Sequence, residues 1–327
     1  MIDVKIKSYL QLFRAQTYPA SMLCTVVPYL YGNGFDVVAL MLVILSMPMH
    51  YFSFGHNSVM DYWFDKDDPN KKHHPLEDGR IKIFDAHNVV QTGMMLFSIA
   101  YMLIALFFAK NTVMALAFLI LYIVFGHGYN DGLGKSTIFS FAPISLCFTS
   151  LAGFGWFMGH ESIDYIGVLI LVYTFFNIFY QIAWEGNLKD VEADKVNLLK
   201  KMGVKEYSFA LWSVVYVSPL AQAFSALTRI IIFVIGTVLA LHTGNFIGVI
   251  LLIASAYPTI KIMRTRIPWG EKRDEALMNM SLVEICTIYA LMFTVIRLDY
   301  AIILGAYGLA YFVGVNKMLW GKPHPKV

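Results

Sequence analysis

Asn57, Asp61 and Asp65, in "NSVMDYWFD", recur at a constant interval just after a nearly unbroken apolar run from Val37 to Phe54. A helix advances about 100° per residue, so steps of four drift by only about 40° and leave the three side chains on one face. His50, Ser53 and Phe54 lie further back along it. A second set, Asn187, Asp190 and Asp194 in "NLKDVEAD", closes another apolar run at intervals of three and four, on a helix again one face, with Tyr180 and Trp184 above it. Four carboxylates and two carboxamides suit a hard divalent cation. Mg²⁺ takes oxygen ligands, typically one or two carboxylates together with a substrate's phosphate oxygens. Asp61, Asp65, Asp190 and Asp194 are therefore the candidate catalytic metal ligands, and Asn57 and Asn187 candidate contacts to a diphosphate or to the metal. Lys71, Lys72 and Arg80 follow the first set and could neutralise phosphate charge. The plainer reading of one acidic cluster is a solvated helix end; two clusters at the ends of apolar runs favour function, because carboxylates in or near a membrane span are costly.

The elements that must hold these residues are membrane helices. Of 327 residues, 58% are hydrophobic and 14% charged, against roughly 25% charged in a soluble domain. Apolar runs long enough to span fall at about 15–32, 37–60, 87–109, 112–129, 137–159, 164–187, 225–242, 245–263, 280–297 and 299–316. The class expected is all-α and polytopic, with nine or ten transmembrane helices, the last of them set off by almost no loop. No cleavable signal peptide is expected at the amphipathic, basic start. Cys24, Cys147 and Cys286 all fall within spans at unrelated spacings and read as packing residues. Cations collect in alternate connections: before the first span and after the second, fourth, sixth and eighth. The positive-inside rule then puts the amino terminus and both acidic sets on the cytoplasmic side of the cell membrane. The long connections 61–86 and 188–224 are expected to form a cytoplasmic cap on a single domain, 1–327. Segment 207–227 is apolar enough to span, but that would invert every later loop; it is expected to lie across the surface or dip in.

These motifs resemble those of the UbiA-type superfamily of intramembrane prenyltransferases, which carries N-x-x-x-D-x-x-x-D after its second helix and D-x-x-x-D after its sixth. Here they read Asn57, Asp61, Asp65 and Asp190, Asp194, after the second and sixth expected spans. Pro75, Leu76 and Gly79 in "HHPLEDG" also match the family's arrangement, and the likeness covers about residues 10–297. Ser58 stands where many members have Asp, and His74 where many have Arg. The family's Tyr and Lys after helix four are matched loosely by Tyr129 and Lys135, and Arg14 resembles an Arg common before the first span.

The resemblance implies a helical bundle around a central cavity, in which a polyprenyl diphosphate is held through Mg²⁺ and its allylic carbon passed to an acceptor. Tyr129 and Lys135 join the substrate-binding candidates on that ground. Phe54, Tyr180 and Trp184 are the aromatic faces nearest the acids and are candidates to stabilise cationic character on carbon. The acceptor class stays open among an aromatic quinone precursor, a glyceryl phosphate lipid, a tetrapyrrole and a sugar phosphate; an aromatic or lipid acceptor is the commonest in the family. Membrane lipids are the expected surroundings and no nucleic-acid partner is expected. The competing reading is a polytopic transporter or cation-binding membrane protein, whose acids belong near the bilayer midplane in broken helices.

Overall fold

The computed structural model describes residues 3–66, 74–133, 137–191, 196–208, 213–269 and 273–321. Lys71, Lys72, Lys135 and Asp194 lie outside the described residues, and Asp65 is described only as the last residue of its helix. The principal helices in chain order are α1 (Val4–Leu12), α2 (Tyr18–Leu30), α3 (Val37–Asp65), α4 (Ile83–Phe108), α5 (Thr112–Gly128), α6 (Phe141–Gly159), α7 (Tyr165–Tyr180), α8 (Pro219–Thr243), α9 (Ile247–Ala254), α10 (Ala256–Ile262), α11 (Arg273–Val295) and α12 (Leu298–Trp320).

Short polar residues start several of these helices by accepting a backbone N–H that would otherwise lack a partner. Asp36 accepts from Ala39, Asn111 from Met114, Asp164 from Gly167 and Ser218 from Ala221. Eight helices among the described residues are long and apolar enough to cross a membrane. The two remaining expected spans are shorter. α2 has 13 residues, and the run 245–263 is broken into α9 and α10 at Ser255. Pro258 accounts for the break, since its ring lacks an N–H and crowds the carbonyl four residues earlier. α12, expected over 299–316, is a full helix of 23 residues, about 34 Å at 1.5 Å per residue and enough for a hydrocarbon core of about 30 Å.

Segment 207–227 departs from expectation. Its first part belongs to a three-stranded antiparallel sheet of β1 (Lys205–Ser208), β2 (Ser213–Tyr216) and β3 (Arg266–Trp269), with Val215 opposite Glu206 on one side and Ile267 on the other. The β-branched Val214, Val215 and Val217 favour extended backbone. Pro219 then opens α8, six residues earlier than the expected span, with its fixed φ suited to a first helical position. The helical class holds, with this sheet as an element that apolarity alone did not disclose.

The chain forms two compact units, residues 1–131, 150–162 and 298–327 in one and 132–149 and 163–297 in the other. In the first, Leu12, Phe13, Val59, Leu76, Ile81, Ala86 and Val90 make a core that packs the end of α3 against the connection following it. α6 meets α2 backbone to backbone: a Cβ on Gly155 would lie 2.0 Å from the Thr25 carbonyl oxygen. In the second unit the Tyr173 hydroxyl on α7 donates to the Thr287 carbonyl on α11 at 2.7 Å.

Candidate functional site

The first acidic set sits at the end of one uninterrupted helix. Asn57 Nδ2 donates to Asp61 Oδ2 at 2.8 Å, so the one-face reading of this motif is met between its first two members, both half-buried. Ser58, where the resemblance leads one to expect Asp, is buried and donates to the Leu12 carbonyl at 3.1 Å. A carboxylate there would face a carbonyl without water, which gives the substitution a structural reason. His50 is an interhelical partner: its Nδ1 is 2.7 Å from Ser21 Oγ and its Nε2 is 3.2 Å from the Arg14 carbonyl. That carbonyl belongs to the one non-glycine residue of positive φ (47°) among the described residues. Arg14 also carries its guanidinium over Phe54, 5.8 Å from the ring centroid, so this candidate aromatic packs between Arg14 and the His50 ring, 4.3 Å away.

Beyond α3, Pro75 to Ile81 form a tight turn in which Ile81 N–H donates to the Pro75 carbonyl at 3.0 Å. Gly79 takes φ +78° there, a conformation that costs any other residue strain. His74 pairs with Glu77 at 2.5 Å. Arg80 reaches Asp78 Oδ2 at 2.6 Å and Gln11 Oε1 at 2.7 Å, and lines a cleft of about 460 Å³ with Lys7, Gln11 and Trp320. Its charge is thus shared with a carboxylate of its own turn.

The second set is built differently. α7 runs into a wider π-helical stretch, Gln181–Gly186, followed by one short turn of helix, Asn187–Lys189. Asp190 lies past that turn at φ −109°, ψ 25°. The reading of Asn187, Asp190 and Asp194 as one helical face is therefore corrected: the helix ends before Asp190. Asn187 is buried and fully engaged by backbone, donating to the Ile182 carbonyl at 2.9 Å and accepting from Leu198 N–H at 2.9 Å. Asn197 in turn donates to the Asn187 carbonyl at 2.8 Å. Asp190 itself is half-buried. Tyr180 and Trp184 are fully buried, and one face of the Tyr180 ring is covered by the Arg229 guanidinium at 5.1 Å. Tyr129 opens a second π-helical stretch, Tyr129–Leu133, at the end of α5.

Two groups escaped the spacing argument. Glu185, within the π stretch and 3% exposed, has Glu284 and Arg229 as its charged neighbours. Arg229, besides covering Tyr180, donates to Ser255 Oγ. A lone Glu in the apolar run "QIAWEGN" was the signal for it. The other is His56, beside Asn57, whose buried ring lies 3.0 Å from the Asn130 carboxamide.

A polytopic helical membrane protein with carboxylates at the ends of two spans is the class these features define. The model of the UbiA prenyltransferase family matches residues 21–283, and the chain belongs to that family. Prenyl transfer is accordingly its activity at the level of the family. A comparison with curated protein sequences gives no match. Among solved structures, a UbiA homologue from Archaeoglobus fulgidus bound to DMAPP and Mg²⁺ is 13% identical, with a TM-score of 0.55 over 94% of this chain and 98% of that one. The apo structure of a UbiA homologue from Aeropyrum pernix K1 is also 13% identical, with a TM-score of 0.57 over 94% and 100%. A structure concerned with digeranylgeranylglyceryl phosphate synthase is 18% identical, with a TM-score of 0.54 over 96% and 99%. At these identities the likeness is one of fold.

Proposed function

We propose that this chain is a single transmembrane domain that transfers an isoprenyl group from a polyprenyl diphosphate to an aromatic or lipid-like acceptor within the membrane, releasing diphosphate. The observation that carries the reading is that both acidic motifs, each at the end of an apolar helix, fall inside the residues matched by the family. Asp61, Asp65, Asp190 and Asp194 would hold Mg²⁺ together with the donor's diphosphate. The donor set fits: carboxylates are hard oxygen ligands, those of Asp61 and Asp190 are half-buried, and Asn57 already orients one oxygen of Asp61. When bound, Mg²⁺ supplies charge stabilisation for the departing diphosphate.

The residues of the chain bind, orient and exclude water. Asn57 fixes the Asp61 rotamer, and Arg80, Lys71, Lys72, Tyr129 and Lys135 contribute further contacts to phosphate oxygens. Asn187 supports the Asp190 turn by holding the backbone on both sides of it. As the allylic carbon–oxygen bond breaks, diphosphate leaves with the bonding pair, and the acceptor's nucleophile closes on the carbon and sheds its proton. The apolar helices keep water from competing for that carbon. The amino terminus and the connections between α3 and α4 and between α7 and α8 are placed on the cytoplasmic side by the positive-inside rule, with the second connection ending where Pro219 opens α8.

The test is direct. Purified protein incubated with a labelled polyprenyl diphosphate and a panel of acceptors is expected to form prenylated product that EDTA abolishes and added Mg²⁺ restores. Turnover that persists after EDTA, or cation flux in proteoliposomes without any prenyl transfer, would overturn the reading.

A further inference from the structure

The end of α3 and the π stretch after α5 meet in a second group of metal-ligating side chains that the all-oxygen motifs do not use. His56 Nε2 lies 3.7 Å from Asp131 Oδ1, and His127 Nδ1 lies 3.5 Å from Asp131 Oδ2. One donor atom from each of the three falls within 4.8 Å of the other two. The imidazole rings are inclined at 62° with centroids 4.9 Å apart, so they do not stack. We propose that His56, His127 and Asp131 form a binding site for a divalent transition metal, zinc or an ion of similar preference.

Three observations carry this. The first is distance: 3.5 and 3.7 Å are too long for hydrogen bonds. They are close to the edge of about 3.4 Å between two ligands that each sit about 2.0–2.1 Å from one tetrahedral ion. The second is the partner on the far side of the buried ring. The Asn130 carboxamide is 3.0 Å from His56 Nδ1, the kind of outer contact that orients a metal-bound imidazole. A half-turn exchanges the nitrogen and oxygen of a carboxamide. With Oδ1 on the ring, His56 Nδ1–H donates and Nε2 presents its lone pair toward Asp131 and His127. The third is backbone. His127 lies in the last turn of α5, and the π stretch that follows it carries Asn130 and Asp131, which face the two ring nitrogens of His56; such turns recur at functional sites.

The ligand chemistry separates this site from the carboxylate motifs. Imidazole nitrogen favours zinc, cobalt, nickel, copper or iron over magnesium, while carboxylate oxygen favours magnesium. Three protein ligands leave a fourth coordination position for water or a small anion. Occupancy would clamp α3 to the end of α5, one residue from Asn57 and two from Tyr129, so the ion would stiffen the two helix ends that carry those substrate-binding candidates.

Detergent-purified full-length protein, stripped with chelator and titrated with Co²⁺ under excess Mg²⁺, tests the assignment. The expected result is one Co²⁺ per chain, with the visible absorption of a tetrahedral nitrogen and oxygen site, displaced by Zn²⁺. His127→Ala and His56→Gln should each abolish that absorption, and Asn130→Ala should weaken binding by about 10-fold. Asp61→Ala should leave it in place. His127 is half-exposed, so its variant reports on binding even if His56→Gln does not fold. No retained cobalt, retention unaffected by His127→Ala, or retention lost in Asp61→Ala would each overturn the proposal.

Discussion

The two acidic motifs pair the same residue types and handle them in opposite ways. At the end of α3 the carboxamide of Asn57 goes to a side chain, Asp61, and the helix continues without interruption. At the end of α7 the carboxamide of Asn187 goes to backbone on both sides, and a π stretch and a helix end precede Asp190. The first motif is thus a face of a regular helix, its geometry set by period. The second is a turn, its geometry set by hydrogen bonds from residues up to eleven positions away. An Asn beside an Asp can act as part of a binding surface or as the fastener that shapes it.

The largest effects should be shared by both regions, because both carboxylates are proposed to act on the same diphosphate. Asp61→Ala and Asp190→Ala are each expected to lower turnover of a labelled polyprenyl diphosphate on the order of 10²-fold or more, with the variants still folded by circular dichroism. If one of the two retains full activity, its motif has no part in the chemistry.

The asparagines should split the regions apart. Asn187→Ala removes two part-buried hydrogen bonds, to the Ile182 carbonyl and from the Leu198 N–H, which costs about 1–3 kcal/mol, read as a lowered thermal midpoint in detergent. Asn57→Ala removes one half-buried contact between side chains and should cost under about 1 kcal/mol, while raising KM for the diphosphate. Equal loss of stability in the two variants would mean that the second region is no more dependent on its asparagine than the first.

The same contrast explains what was legible in the sequence. The regular part of the fold came through because apolar runs act locally: the runs expected at 37–60, 87–109 and 299–316 are kept as α3, α4 and α12. The face of Asn57 and Asp61 was legible for the same reason, since one constant period governs the whole of α3. What did not come through depends on departures from that period or on distant partners. The π stretch at Gln181–Gly186 leaves no mark in spacing, so the expected face through Asp190 failed. The sheet pairs Ser213 to Tyr216 with residues near 268, which no window on 207–227 contains. His56 was passed over because its partners lie more than seventy residues on, at His127, Asn130 and Asp131.

Glycine provides the finest cut between the regions, because one residue type should respond with opposite sign. Gly79, in the turn after the first motif, has φ +78°, and a Cβ there would meet nothing within 4 Å. Space is available, but the left-handed backbone is not one an alanine adopts freely, so Gly79→Ala should destabilise by about 1 kcal/mol. Gly186, just before the second motif, has φ −61° and ψ −49°, ordinary helical values, and an added Cβ would sit 3.5 Å from the Gln181 carbonyl oxygen, normal contact. Here alanine meets no strain and restricts the unfolded chain, so Gly186→Ala should stabilise by about 0.4–1 kcal/mol. Thermal midpoints of the two variants in the same detergent decide it. A loss at Gly186 would mean that its π turn needs the freedom of glycine, as the Gly79 turn does, and that the second motif is strained as well as irregular.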